Sequence, residues 1–141
     1  MGQVQTLVVP GTPVGLEQAE RGLDDFSAMH SLTRNDTWPF HVALDEILSN
    51  VVKYGWSGRE GEGRIEIRLA LDGDALEMVV LDDAAPFNPL DAQAPDTSLP
   101  VEERPIGGLG IEIVRRLMDT IDYARLEDGH NRLTMRRRLG L

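Results

Sequence analysis

Apolar residues recur at intervals of three and four positions in three stretches of the chain, residues 16–29, 39–54 and 110–118. This spacing places apolar side chains on one face of an α-helix, so the pattern predicts three amphipathic helices. For the second helix, residues 35–37 are the N-cap candidates, and Pro39 suits the first turn, where its missing N–H group costs nothing. Each helix is therefore expected to pack one face against a common core.

Five other stretches predict β-strands, at residues 3–9, 65–71, 76–81, 121–126 and 132–138. The second alternates strictly between apolar and other residues, and the third is almost wholly apolar, which is typical of a central strand. The first strand is expected at an edge of the sheet. The order of elements predicts an α+β fold, a two-layer sandwich in which three helices cover one face of a mixed, mostly antiparallel sheet.

Residues 82–107 lack any sustained periodicity and are rich in proline and acidic residues. An irregular connection of this length is usually a functional loop or a lid over a site. No internal repeat or composition shift divides the remainder, and 141 residues is a common size for one domain. The chain is therefore expected to form a single domain over residues 1–141.

The charge balance narrows the possible partners. The chain has 24 acidic residues against 14 basic residues, a formal net charge of -10. This charge opposes binding to nucleic acid and to anionic membranes. The absence of cysteine excludes disulfides, thiolate zinc sites and a cysteine nucleophile. No secretory signal or membrane-spanning apolar run is found, so a cytoplasmic location is expected.

Glu46 and Asn50 lie four positions apart in the second predicted helix, so their side chains share one helix face. A carboxylate in this position can accept a proton, and an amide oxygen is a suitable ligand for Mg²⁺ beside phosphates. A solvated helix face explains the same pair without any function.

Two further features follow the predicted strands. Asp82 and Asp83 end the apolar third strand, where a carboxylate can accept a hydrogen bond from an exocyclic amino group, although adjacent acids are also ordinary turn residues. Residues 107–110, GGLG, run into the third helix and could hold an anion at its N-terminus or act as a hinge. Neither a P-loop nor a GxGxxG fingerprint is present.

In order along the chain, the segments ALDEILSNVVKYGW, DDAAPFNPL and GGLGIEIVRRLMD resemble the ATP-binding boxes shared by gyrase, histidine kinases and mismatch-repair ATPases, the GHKL or Bergerat fold. Together with the terminal NRLTMR, they resemble most the anti-sigma-factor serine-protein kinases of bacterial stress and sporulation switches. The resemblance covers residues 15–138. It implies a protein-serine kinase that uses ATP and Mg²⁺.

The resemblance also implies roles for individual side chains. Glu46 would be the general base that takes the proton of an acceptor serine, and Asn50 would coordinate the Mg²⁺ that bridges the phosphates. Asp82 would hold the adenine amino group. Arg21, on the first helix, falls where such kinases contact protein partners, although a solvated surface arginine is the simpler account.

The remaining implied contacts involve backbone and the last strand. The backbone of Gly108, Leu109 and Gly110 would cradle the phosphates, and Thr134 would lie near the adenine, directly or through water. Residues 88–106 would form the ATP lid, and the cations nearest to a γ-phosphate would be Arg104 and Lys53. The implied partners are an anti-sigma-factor antagonist of the STAS type, a sigma factor and a second copy of the chain.

One departure from the family pattern bears on nucleotide binding. Such proteins usually have glycine two positions after the adenine-binding aspartate, whereas this chain has Ala84, which adopts positive φ poorly. Ala84 and the acidic lid favour a second hypothesis, a non-catalytic switch that binds a partner with weak or absent nucleotide use. A detached histidine-kinase ATPase module is the third, opposed by the short lid and the absence of the usual histidine in the first box.

Overall fold

The computed structural model describes residues 3–55, 63–91 and 108–140. The described elements are five strands, three α-helices and two short turns of other helical types. The strands are β1 (Gln3–Pro10), β2 (Arg64–Asp72), β3 (Ala75–Asp82), β4 (Thr120–Arg125) and β5 (Asn131–Arg138). The helices are α1 (Pro13–Met29), α2 (Arg34–Asn50) and α3 (Gly108–Leu117), with a π-helical turn at Val51–Gly55 and a 3-10 turn at Pro89–Asp91.

The strands form one sheet in the order β1-β2-β3-β5-β4. Every pairing among these described strands is antiparallel. The sheet was predicted to be mixed and mostly antiparallel, and no parallel pair is found among these strands. The predicted α+β class is confirmed, with β1 at one edge and the almost wholly apolar β3 in the centre. This order sets the carboxyl end of β3 beside the start of β5, because Asp82 pairs with Asn131.

The core lies between the three helices and one face of the sheet. Its largest fully buried side chains come from all three helices and from the central strands: Phe26, Phe40, Leu23, Leu44, Leu48, Ile65, Ile67, Leu69, Leu76, Met78, Ile111 and Met135. Burial of each such side chain contributes about 1.5–3 kcal/mol. Met29 belongs to the sequence stripe of α1 but is 71% exposed, because α1 ends there.

α2 begins earlier than the sequence pattern suggested. Its N-cap is Thr33, whose hydroxyl accepts a hydrogen bond from the N–H of Asp36, while the Asp36 carboxylate accepts one from the N–H of Thr33. This reciprocal pair satisfies two N–H groups at the helix start. The candidates at residues 35–37 and the first-turn place for Pro39 were therefore wrong, since Pro39 lies inside the helix.

We expect Asp36→Ala to lower the free energy of unfolding by about 0.5–2 kcal/mol, the usual cost of losing an N-cap partner. The hydrogen bond from the Thr33 N–H lowers the pKa of Asp36, and a further bond from the Gly140 N–H acts the same way. Because the folded pKa is depressed, this stabilisation is complete above the ordinary carboxyl value and is lost as the pH falls through the lowered one.

Urea unfolding at neutral pH and at about pH 3 measures this effect. The Asp36 variant should differ from the wild type most at neutral pH. Asp25→Ala, at an exposed position of α1, is the matched control and should cost much less. Equal losses for the two variants would contradict the assigned role of the capping box.

Within the described ranges, no helix is both long and apolar enough to span a membrane. The greater part of the predicted lid, residues 92–106, lies outside the described residues, as do Arg104 and Gly107.

Candidate nucleotide site

The last turn of α2 presents Glu46 and Asn50 together. The Asn50 amide donates a hydrogen bond from Nδ2 to Glu46 Oε1, 2.9 Å away, and both residues are half-buried. The neighbouring Ile47 and Leu48 are buried in the core and fix this turn of the helix. Since Nδ2 is turned toward the carboxylate, the amide oxygen of Asn50 is left to act as a ligand or acceptor.

The Glu46 carboxylate lies directly against Gly110 in the first turn of α3. A Cβ atom at position 110 would overlap all three atoms of this carboxyl group, so only glycine leaves room for it. Gly108 and Leu109 form the start of the same helix. The first N–H groups of a helix lack partners within the helix and carry partial positive charge, so α3 directs an anion-binding end toward Glu46 and Asn50.

Asp82 ends β3 with its side chain buried, at 6% relative exposure. Its Oδ1 accepts hydrogen bonds from the Ala84 N–H at 3.0 Å and from Asn131 Nδ2 at 2.9 Å. Burial raises the pKa of Asp82, and these two hydrogen bonds act in the opposite direction. The site therefore holds a buried carboxyl group whose Oδ1 accepts two hydrogen bonds.

Asn131 is the residue that sequence reasoning missed. It stands at the start of β5, opposite Asp82, and it is 5% exposed. Its Oδ1 accepts hydrogen bonds from the Tyr123 hydroxyl and from the Phe87 N–H. The available signal was the alternation in β5: Leu133 and Met135 are buried, and Asn131 shares their parity.

Thr134, assigned to the adenine by resemblance, is not brought to Asp82. It pairs with Val79 of β3 and Asp122 of β4, and its side chain therefore points to the sheet face away from the helices. Asp82 and Asn131 have the opposite parity and point to the core side. The sheet itself therefore lies between the Thr134 side chain and the Asp82 carboxyl group, and a role for Thr134 near the adenine stays a prediction that this register does not favour.

Ala84 adopts an ordinary backbone conformation. Among described non-glycine residues only Ser31 has positive φ, so Ala84 is not strained by its side chain. It is 3% exposed, and its carbonyl accepts a hydrogen bond from Arg125 Nη1 at 3.0 Å. The loop has adapted to alanine, which removes one argument for weak nucleotide binding.

We expect Ala84→Gly to lower the free energy of unfolding by about 0.4–1 kcal/mol through the greater freedom of the unfolded chain. Nucleotide affinity should stay unchanged, because glycine relieves no strain here. Thermal melting and calorimetric titration with ATP measure the two quantities. Tighter ATP binding by the glycine variant would contradict the adapted loop.

The other sequence candidates lie apart from this cluster or outside the described residues. Asp83 accepts a hydrogen bond from the Arg64 N–H at 3.2 Å. Arg21 pairs with Glu17 on the exposed side of α1, 3.2 Å apart. Lys53 is exposed in the π-helical turn after Asn50.

The fold and the cluster together define an ATPase domain of the histidine-kinase type. Residues 9–137 match the family model described as the histidine kinase-like ATPase domain, which covers most of the chain. The chain belongs to this family.

Similarity to curated proteins is narrower. The chain is 34% identical over 91 residues to serine-protein kinase RsbW of Bacillus cereus strain AH187, covering 62% of this chain and 56% of the relative. It is 32% identical over 91 residues to the RsbW of Bacillus mycoides strain KBAB4, with the same coverage. The resemblance to anti-sigma-factor kinases is confirmed, although the aligned part spans about half the length of these relatives.

Solved structures support the fold. A Mycobacterium tuberculosis protein, Rv1364c, whose crystal structure contains RsbU and RsbW domains, matches 97% of this chain and 32% of its own, with a TM-score of 0.68 and 17% identity. Histidine kinase AdeS of Acinetobacter baumannii matches 99% of this chain and 70% of its own, with a TM-score of 0.51 and 13% identity. At these identities the likeness is one of fold alone.

Proposed function

We propose that this chain is an ATP-dependent serine-protein kinase that phosphorylates an anti-sigma-factor antagonist and so acts as an anti-sigma-type regulator in the cytoplasm. The observation that carries the proposal is the contact between the Glu46 carboxylate and Gly110 at the N-terminus of α3. A pure nucleotide sensor needs an anion site and a metal ligand. It has less need of a carboxylate held at the anion-binding end of α3.

Glu46 is suited to general-base work. A carboxylate at this place could accept the proton of a serine hydroxyl as its oxygen attacks the γ-phosphorus of ATP, with ADP as the leaving group. Asn50 orients Glu46 through the 2.9 Å hydrogen bond. The proton moves from the serine to Glu46, and the phosphoryl group moves from ATP to the serine oxygen.

Asn50 is also the residue best placed to hold Mg²⁺, since its amide oxygen stays available beside a carboxylate. When bound with ATP, Mg²⁺ neutralises charge on the phosphates. Without that neutralisation, phosphate and the Glu46 carboxylate would meet as like charges at one helix end. The single amide oxygen of Asn50 fits an ion that takes its other ligands from water and phosphate oxygens.

The base and phosphate ends of ATP would be held by different elements. Asp82 offers a buried acceptor to the adenine amino group, and the first N–H groups of α3, at Gly108, Leu109 and Gly110, offer donors to the phosphates. Two rigid elements, β3 and α3, therefore present the two recognition features. Preorganisation of this kind lowers the cost of placing the reacting phosphate.

A STAS-type antagonist with an acceptor serine and a sigma factor are the proposed partners. The competing proposal is a partner-binding switch that does not transfer phosphate. Ala84 no longer favours it, since the Asp82 loop holds alanine without positive φ.

The deciding experiment mixes the chain with γ-labelled ATP, Mg²⁺ and a STAS-type antagonist domain. The kinase proposal requires label on a serine of the antagonist, located by mass spectrometry. Stable complex formation without any phosphoserine would establish the switch instead.

We expect Gly110→Ala to separate stability from phosphotransfer. The new Cβ displaces the end of a flexible side chain, Glu46, so the fold should tolerate it, and alanine in a helix favours folding by about 0.5–1 kcal/mol. Transfer to the antagonist should fall by about tenfold to a hundredfold, because the carboxylate is moved from its place.

Gly15→Ala is the matched contrast, since a Cβ there would run into the backbone carbonyl of Pro10. That variant should lose stability. A Gly110→Ala protein with normal transfer and an unchanged melting temperature would argue against Glu46 as the base.

A further inference from the structure

The carboxamide of Asn131 is engaged at both ends. Its Nδ2 donates to Asp82 Oδ1 and to the Ala85 carbonyl oxygen, each 2.9 Å away. Its Oδ1 accepts from the Tyr123 hydroxyl and from the Phe87 N–H, the latter at 3.3 Å. Rotating the amide by half a turn would set oxygen against oxygen and donor against donor, so its orientation is fixed.

This fixed donor has a direct consequence for Asp82. Asn131 Nδ2 and the Ala84 N–H both donate to Asp82 Oδ1, and a hydrogen bond to a carboxylate oxygen is stronger than one to the oxygen of a neutral carboxyl group. Burial, the largest effect, and the charge of Asp83 raise the pKa of Asp82, whereas the two donors and the charge of Arg125 lower it and favour the ionised carboxylate. An ionised carboxylate can accept hydrogen bonds but cannot donate one.

We propose that Asn131, held by Tyr123, is a positioning residue that keeps Asp82 an acceptor and thereby sets the preference of the site for an amino-bearing purine over an oxo-bearing one. This inference rests on the proposed nucleotide function. An amino group donates to the carboxylate, whereas an oxo group would place one acceptor against another. If Asp82 were protonated, the carboxyl group could donate to an oxo group and the discrimination would weaken.

The β4–β5 hairpin supplies the side chains that support this arrangement. Tyr123 and Asn131 come from its two strands, and Arg125 of the same hairpin donates to the Ala84 carbonyl at 3.0 Å. The loop after Asp82 is thus tied by side chains that lie far away in sequence. Tyr123 donates to Asn131 and thus acts on Asp82 through it, which makes Tyr123 a second position for testing the proposal.

The test is calorimetric titration with ATP and with GTP between about pH 5 and pH 8. Asn131→Asp keeps the size of the side chain and the oxygen that faces Tyr123, but replaces the donor by an acceptor. We expect its ATP affinity at neutral pH to fall by about tenfold or more, with a smaller change for GTP. The ratio of the two affinities should therefore drop.

The pH profile gives a readout that a merely structural role would not move. In the wild type, ATP binding weakens as the pH falls through the pKa of Asp82, because the protonated group accepts poorly. Removing the Asn131 donor and adding a like charge raises the pKa of the carboxyl pair. The acid limb of the profile, the pH range in which ATP affinity falls on acidification, should therefore lie at higher pH in Asn131→Asp than in the wild type.

Two further variants keep the proposal testable if Asn131→Asp does not fold. Tyr123→Phe removes only the hydroxyl and should shift the ATP-to-GTP ratio and the acid limb in the same direction by a smaller amount. Asp122→Asn makes the reverse exchange at an exposed position of β4 and should change neither quantity.

The outcomes distinguish failure of the proposed function from failure of this inference alone. A wild-type chain that shows no ATP binding overturns the proposed function and this inference with it. A wild-type chain that binds ATP, with Asn131→Asp and Tyr123→Phe retaining its base preference and pH profile, overturns the inference alone.

Discussion

Glu46→Gln is expected to reduce phosphotransfer to the antagonist by about 10²–10⁴-fold, the usual contribution of a general base. Glutamine keeps the shape and can still accept the 2.9 Å hydrogen bond from Asn50, but it cannot take up the serine proton. ATP affinity should remain close to that of the wild type, because the adenine and phosphate contacts proposed here do not involve the Glu46 charge. Single-turnover transfer of labelled phosphate and calorimetric ATP titration measure the two quantities.

Asp45→Asn is the matched control for Glu46→Gln. It removes the charge of the carboxylate directly before Glu46 in α2. Because the side chain of Asp45 is exposed, phosphotransfer should stay near the wild-type rate. If Glu46→Gln phosphorylates the antagonist normally, Glu46 is not the base. If it also loses ATP binding, Glu46 acts in nucleotide binding, and the proposed division of roles in α2 is wrong.

Asp82→Ala is expected to weaken ATP binding by about tenfold to a hundredfold. An adenine amino group left without its acceptor in a buried site costs about 1–3 kcal/mol. The same substitution removes the acceptor of two hydrogen-bond donors, the Ala84 N–H and Asn131 Nδ2. Some loss of stability is therefore expected as well. Affinity should therefore be measured well below the melting temperature of the variant.

Asp83→Ala is the control at the adjacent position. Asp83 extends to the Arg64 backbone of β2, on the other side of the strand end from Asn131, and its removal should weaken ATP binding far less. The reverse ranking of the two variants would move the adenine contact to Asp83. It would also separate the Asn131 network from nucleotide recognition.

Much of the architecture followed from patterns that are local in sequence. Each of these patterns indicates which face of one element is buried; examples are the alternation in β2, the apolar run in β3 and the apolar residues at helical spacing in α1. Strand and helix positions were therefore predicted within a few residues. The edge position of β1 and the central position of β3 were also predicted correctly. The start of α2 was missed because a Thr33–Asp36 capping box outweighs the preference of Pro39 for a first turn.

Site residues on one element were recognisable in the same way. Glu46 and Asn50 share a helix face whatever the remainder of the chain does, and an aspartate ending a buried strand stands out against its apolar neighbours. Their roles in catalysis and binding stay predictions. The choice of Thr134 came from resemblance, which supplied a residue type without a strand register, whereas the parity of Leu133 and Met135 places its side chain on the other sheet face from Asp82.

Contacts between distant elements were decided only by the tertiary structure. Asp82 meets Asn131 because β5 inserts between β3 and β4, and neither alternation nor motif spacing fixes the register of two strands separated by a long connection. Glu46 meets Gly110 because α2 and α3 pack side by side, which no single helix pattern specifies. The sequence by itself thus determined which faces are buried and which residue types could perform chemistry. Packing decided which of those residues share a site. Burial of apolar area is non-directional, so it does not specify which polar groups meet. Their pairing depends on strand register and on how the helices pack.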